Sequence, residues 1–149
     1  MNYSAGIIPY RVNDDGEMEF FVGHPGGNHW NSRHLWMFLK GGVEGNENWS
    51  QTAVREFEEE TGLTLTDEMV KSLIPLGSVL QNSHKTTIAF GLHYPDIDPN
   101  TCHSNLADDG SCYEIDSYRW MTYDKLKEVT HKTHLGFYDQ LITLNNATY

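Results

Sequence analysis

The chain of 149 residues carries 21 acidic against 10 basic side chains, a formal charge of −11 at pH 7. That balance argues against a duplex nucleic-acid binder, whose footprint is a basic patch. With 38% hydrophobic and 21% charged residues, the composition is that of a folded protein, and the length suits one domain over 1–149.

Ser4–Val12 is rich in β-formers and reads as a strand. Asn13-Asp14-Asp15-Gly16 is a turn signal, and Met18–Val22 is the partner strand of a hairpin. His24–Arg33, with Pro25-Gly26-Gly27, reads as a loop, Leu35–Leu39 as a short strand, and Lys40–Glu47 as a Gly-rich loop. The pattern predicts a helix from Asn48 to Thr61, with Asn48 as N-cap, Gln51 as its capping-box partner and Gly62 at the stop. Ala53, Val54 and Phe57 form its apolar stripe, and Glu58 is expected to point to solvent. Ile74–Leu80 and Lys85–Tyr94 read as strands, and Pro95–Gly110 as a long polar loop of the kind that carries binding elements. Tyr118–Met121 closes the strands, and Tyr123–Val129 and Leu135–Leu144 read as helices. Strands on both sides of a central helix predict an α/β (α+β) architecture, a mixed sheet sandwiched between helices.

No apolar run reaches the roughly 20 residues of a membrane span. Met1–Gly6 lacks the basic and apolar regions of a secretory signal, so no membrane association and a cytosolic (cytoplasmic) location are expected. Cys102 and Cys112 are too few for a disulfide framework. With His103 between them they suggest zinc, but the spacing matches no common zinc pattern and no fourth ligand is evident, so reduced thiols are expected. Asn48-Trp49-Ser50 and Asn146-Ala147-Thr148 fit the glycosylation pattern, which is common by chance.

Glu56, Glu59 and Glu60 fall at i, i+3 and i+4 of the central helix and share one face. Like charges so placed repel, and only Arg55 is near enough in sequence to offset them. A solvated acidic face is one reading. The other is a cation site, since carboxylate oxygens are the ligands that hard ions such as Mg²⁺ or Mn²⁺ take. The surroundings decide between them. From Gly41 the chain runs Gly, five residues, Glu47, seven residues, then Arg55-Glu56-Phe57-Glu58-Glu59-Glu60-Thr61-Gly62-Leu63. This resembles the Nudix box, Gly-x5-Glu-x7-Arg-Glu-U-x-Glu-Glu-x-Gly-U with U apolar, at every defined position.

The resemblance implies a Nudix fold and a metal-dependent hydrolase that cuts the phosphoanhydride bond of a nucleoside diphosphate linked to another group. It implies that Glu56, Glu59 and Glu60, with the carbonyl of Lys40, bind Mg²⁺ or Mn²⁺. Arg55 would orient the glutamates, and Glu47 would brace the loop against Arg55. Gly41 and Gly62 would allow the loop–helix–loop path. Glu56, Glu59 or an acid outside the box would orient or deprotonate the attacking water. The chain departs from the family pattern at Leu39, where proline is frequent, and at Asn46, where glycine is frequent and here arrives one residue early as Gly45.

Outside the box, Val79–Gln81 holds no proline or tyrosine. The usual marks of ADP-ribose hydrolases and of one dinucleoside polyphosphate group are therefore missing. Ser4-Ala5-Gly6, Phe20–Gly27, Trp36–Gly41, Lys85–Ile88 and Glu114 before Tyr118-Arg119-Trp120 are similar to the small Nudix enzymes that cut diadenosine tetraphosphate asymmetrically, and to related nucleoside triphosphate pyrophosphohydrolases. By that analogy Glu114 is a further metal ligand or base, with Asp108, Asp109 and Asp116 competing. Lys40 and Lys85 would contact phosphate, as His24 and His84 could, and Tyr94 or Trp30 would stack on a base or else pack in the core. The partner is then a small nucleotide, bound by a monomer or a homodimer. Removal of a 5′ pyrophosphate from RNA is the alternative, against which the acidic balance counts. A non-catalytic nucleotide sensor would be expected to lack box glutamates, and all are present.

Overall fold

The computed structural model describes residues 1–26, 34–106 and 113–147. Its strands are β1 (Asn2–Val12), β2 (Met18–Pro25), β3 (Leu39–Gly42), β4 (Ile74–Asn82), β5 (Lys85–His93) and β6 (Ile115–Thr122). The helices are α1 (Trp49–Thr61), α2 (Asp67–Lys71), α3 (Tyr123–Val129) and α4 (Leu135–Ala147). One mixed sheet runs in the order β4-β5-β1-β2-β6, and β3 pairs with β1 off that path.

Strand β1 organises the sheet. One edge runs parallel to β5, from Asn2↔Lys85 to Tyr10↔His93. The other edge first pairs antiparallel with β3, from Ser4↔Gly42 to Ile7↔Leu39, and then with β2 from Tyr10↔Phe20. Buried between neighbours, β1 obeys the two-residue alternation of strands. Ile8 joins Phe20, Val22, Phe38, Phe137, Tyr138 and Leu141 in the core that the C-terminal helices cover. Ala5 and Ile7 join Phe21, Leu39, Ala53 and Phe57 in a second core beneath α1. The sheet is thus sandwiched between helices, the α/β Nudix fold that the sequence implies.

Helix α1 begins and ends where the sequence places it. Asn48 accepts a 2.9 Å bond from the Gln51 amide, and the Gln51 side chain accepts from the Asn48 amide at 2.9 Å, a reciprocal cap worth about 1 kcal/mol. Gly62, at φ 77°, returns its N–H to the Glu58 carbonyl, a left-handed stop that favours glycine.

Other expectations are corrected. The strand expected at Leu35–Leu39 lies at Leu39–Gly42, and of the earlier stretch only Met37 bridges to Gly23. The glycines that read as loop are strand residues because β1 pairs with them. Glu58 is half-buried and accepts the Leu65 amide at 2.8 Å, tying α1 to the following turn instead of facing solvent. The loop after β5 contains a 3₁₀ turn at Pro99–Thr101, and β6 starts at Ile115. Helix α2, unread from sequence, is a five-residue helix capped by Thr66, with Met69 partly buried against the core.

Candidate active site

Arg55 is the hub from which the site is built. Its Nε and Nη2 donate to the two oxygens of Glu47 at 2.8 and 3.1 Å, a bidentate pair. Nη2 also donates to the Gly42 carbonyl at 2.8 Å. Nη1 donates to Glu56 at 2.9 Å and to Glu59 at 3.2 Å. One side chain thereby locks the loop after β3 to the acidic face of α1. Glu47 is further fixed by the Thr52 hydroxyl, which donates at 3.0 Å, and by the Glu44 amide. These donors, Arg55 first, hold the Glu47 carboxyl down at about 2. Arg55 is itself raised, chiefly by its bonds to Glu47.

The three helix glutamates occupy different environments. Glu59 is the exposed one, while Glu56 and Glu60 are buried. The Glu56 carboxylate lies against Gly41, where an added Cβ would stand 2.1 Å from its Cδ. A Cβ there would displace the carboxylate, so glycine at that box position lets Glu56 keep this place. Burial raises the Glu56 pKa, against the pull of Arg55. Glu60 is 5% exposed, and its Oε2 has no hydrogen-bond partner. Burial first, then repulsion from Glu56 and Glu114, pushes its carboxyl up to about 9. The Tyr118 hydroxyl donates to the Glu60 carbonyl and pins this end of α1.

Lys40, in β3 next to α1, attracts Glu60 and Glu56. Its pKa is lowered, by burial and then by Lys85. Glu114 is held by its backbone, whose amide donates to Asn105 and whose carbonyl accepts from Gly26. It is close enough to repel both Glu56 and Glu60. The structure therefore gathers Glu47, Arg55, Glu56, Glu59, Glu60, Lys40, Lys85 and Glu114 along the side of α1 that faces β3. Tyr94 is not among them. It follows the last residue of β5 while Lys85 opens that strand, roughly 30 Å apart at strand rise, and its ring packs 6.3 Å from Phe57 in the α1 core. Of the two readings for Tyr94, base stacking and core packing, its position matches the second: it packs, partly buried, against the α1 core. Asp116 is paired with His24 at 2.8 Å, and His84 lies in the exposed β4–β5 turn. Trp30, Asp108, Asp109 and Cys112 lie outside the described residues.

Thr52, Tyr118 and the Gly42 carbonyl escape sequence reasoning. The signal for Thr52 was its place one turn before Arg55. The other two act through tertiary approach, which spacing does not show.

The residues suit a divalent ion in kind. All are hard oxygen donors, and the partnerless Oε2 of buried Glu60 is an acceptor that costs stability until something positive meets it. Among the described residues no three such side chains already converge at ion-holding distance, and Arg55 donates to both Glu56 and Glu59. Glu56, Glu59 and Glu60, with Glu114 beside them, are the residues that would hold the ion.

The NUDIX domain family model matches residues 3–141. No curated protein matches. Among solved structures, an Ap4A hydrolase of C. elegans in a binary complex superposes with TM-score 0.66 at 20% identity, covering 100% of both chains. The E. coli ORF135 protein superposes at TM-score 0.63 and 19% identity, over 99% of this chain and 92% of its own. The NUDIX domain of Shewanella oneidensis NrtR, complexed with ADP ribose, gives 0.65 at 12% identity, over 94% and 87%. At these identities the likeness is one of fold. No helix among the described residues is long and apolar enough to cross a membrane. With the family model covering nearly the whole chain, and its box folded around Arg55, this protein belongs to the Nudix family and is a hydrolase of acid anhydrides, a family that generally uses divalent metal ions and small nucleotide substrates.

Proposed function

We propose that the chain is a Mg²⁺- or Mn²⁺-dependent pyrophosphohydrolase of dinucleoside polyphosphates, with diadenosine tetraphosphate as the best representative and nucleoside triphosphates as the nearest class. The observation that carries this is the buried Glu60 carboxyl. It has a partnerless oxygen and stands beside Glu56 and Glu114, an arrangement that repels itself unless a cation joins it. Lys40, through its carbonyl, and Glu114 complete the ligand set in this reading. Lys40 and Lys85 take the phosphates, whose charge offsets the mutual repulsion of the two ammonium groups. A bound divalent ion supplies polarisation of a phosphoryl oxygen and acidification of the attacking water. Arg55, anchored by Glu47, keeps Glu56 and Glu59 aimed, and Glu56 or Glu59 takes the proton of the attacking water. A single-domain protein in the cytosol, where reduced Cys102 and nucleotides coexist, belongs to the same proposal.

The test is turnover of diadenosine tetraphosphate and of nucleoside triphosphates with Mg²⁺ and with Mn²⁺, with products identified. Asymmetric cleavage by the wild type, lost in Glu59→Gln and Glu60→Gln proteins that still fold, is the expected result. Turnover by both variants at the wild-type rate would refute the assigned roles, and absence of turnover on any nucleotide would refute the substrate class.

A further inference from the structure

A cleft of about 660 Å³ opens beside the carboxylates, with Tyr3, Gly42, Val43, Glu47, Trp49 and Lys85 in its walls. Its size is that of a small-molecule site. It shares a wall with the active site, since the guanidinium that binds Gly42 and Glu47 also binds Glu56 at 2.9 Å.

Two aromatic rings mark the cleft. Tyr3 in β1 and Trp49, the first residue of α1, lie 5.3 Å apart with planes inclined by 32°. Each is 43% exposed, and neither joins either hydrophobic core. Contact between two such rings would steady the start of α1. It leaves both residues exposed beside a cleft that also holds the Lys85 side chain. An exposed π surface with a cation beside it suits a planar heterocycle that carries phosphate.

We infer that the Tyr3–Trp49 cleft is a nucleobase subsite, where the base of a nucleoside phosphate stacks while its phosphate chain passes Lys85 towards the helix glutamates. The inference rests on the proposed nucleotide reading and adds where the base sits. Lys85 is close enough to Lys40 to depress its proton affinity, and Lys40 in turn feels Glu56 and Glu60. Two neighbouring lysine side chains, Lys85 in the cleft wall and Lys40 beside it, therefore lead from the cleft to the acidic cluster.

The test compares ADP with inorganic pyrophosphate, ligands that differ by the nucleoside alone, in the presence of Mg²⁺. Dissociation constants are measured by calorimetry for the wild type and for Tyr3→Ala/Trp49→Ala. The wild type should prefer ADP, and the double variant should lose about fivefold to hundredfold in ADP affinity with pyrophosphate moving less than about twofold. Phe at both positions should restore the preference. Equal ADP affinity in wild type and double variant, or equal losses for both ligands, would overturn the subsite. The two readings fail separately. A base-dependent loss without any nucleotide turnover leaves the subsite and removes the enzymatic proposal. Turnover with no base-dependent loss does the reverse.

Discussion

Replacing Glu60 by Gln should make the metal-free protein more stable while abolishing its response to metal. Glu60 is 5% exposed with a partnerless oxygen, and its carboxyl titrates at about 9 against 4.5 in the unfolded chain. A folded pKa above the unfolded one means that the native state holds the proton more tightly. The associated stability is complete below pH 4.5 and is lost as pH rises towards 9. Between pH 4.5 and 7 the loss is on the order of 3 kcal/mol, at 1.36 kcal/mol per unit. Gln copies the neutral carboxyl and does not titrate. The variant and the wild type should therefore have similar urea midpoints near pH 4, and the variant should pull ahead as pH rises. Metal binding by the wild type must expel the proton, so its affinity should climb by up to about tenfold per unit between pH 7 and 9. Added Mg²⁺ or Mn²⁺ should raise the wild-type midpoint and leave Glu60→Gln where it was. A variant no more stable than wild type at pH 7.5, or a gap that narrows as pH rises, would refute the assignment of Glu60 as a costly, proton-bearing group.

Gly41→Ala should separate folding from catalysis. The new Cβ meets the flexible end of Glu56 at 2.1 Å, so the side chain can swing aside with a small shift in melting temperature. A displacement of about 1 Å at a reacting centre costs on the order of 10²-fold in kcat. A variant with kcat within threefold of wild type would show that Glu56 does not need this cradle. Arg55→Lys keeps the charge but cannot span Glu47, the Gly42 carbonyl, Glu56 and Glu59 together. At least about a tenfold loss in kcat/KM is expected, together with a lower unfolding midpoint, and steady-state kinetics with a denaturant titration read both. His134 is fully buried with a partnerless Nδ1, and burial drives its pKa down to about 3. The unfolded chain then binds the extra proton, so stability present above pH 6.5 is lost on acidification, on the order of 2 kcal/mol by pH 5. His134→Gln should flatten that limb in urea titrations from pH 7 to 5, and parallel limbs would show that His134 does not titrate on unfolding.

Readability of this fold tracks how local the cause of each element is. Helix α1 is plain in the sequence because two independent local signals agree, the Asn48–Gln51 cap and the Ala53–Phe57 stripe. The box glycine at 41 and the displaced glycine at 45 carry meaning that composition alone hides. Gly41 sits in a strand and makes room for Glu56, whereas Gly45 supplies a left-handed φ of 54° in the turn before α1. Residues 40–42 read as loop because two glycines weaken strand propensity, yet pairing with β1 overrides it. Helix α2, five residues long, is too short to show a helical period. Tyr94 resembles a base platform in sequence and is a core ring in space, while Tyr3 and Trp49 meet only because β1 and α1 pack together.

The same physics explains why the box reads so clearly and why it is costly. A helix face with Glu56, Glu59 and Glu60 destabilises itself through like charge. Burying two of the three adds desolvation, which appears as raised pKa values for Glu56 and Glu60. Arg55 offsets the repulsion at Glu56 and Glu59, and no bond from it reaches Glu60. A fold under selection for stability alone would replace Glu60 with an apolar or amide side chain, since a buried carboxyl with an unsatisfied oxygen is expensive to keep. Its retention inside an otherwise well-bonded cluster makes sense if the unbalanced charge is recovered when a cation and a polyphosphate arrive together. Strain that vanishes on binding is then part of what holds the substrate.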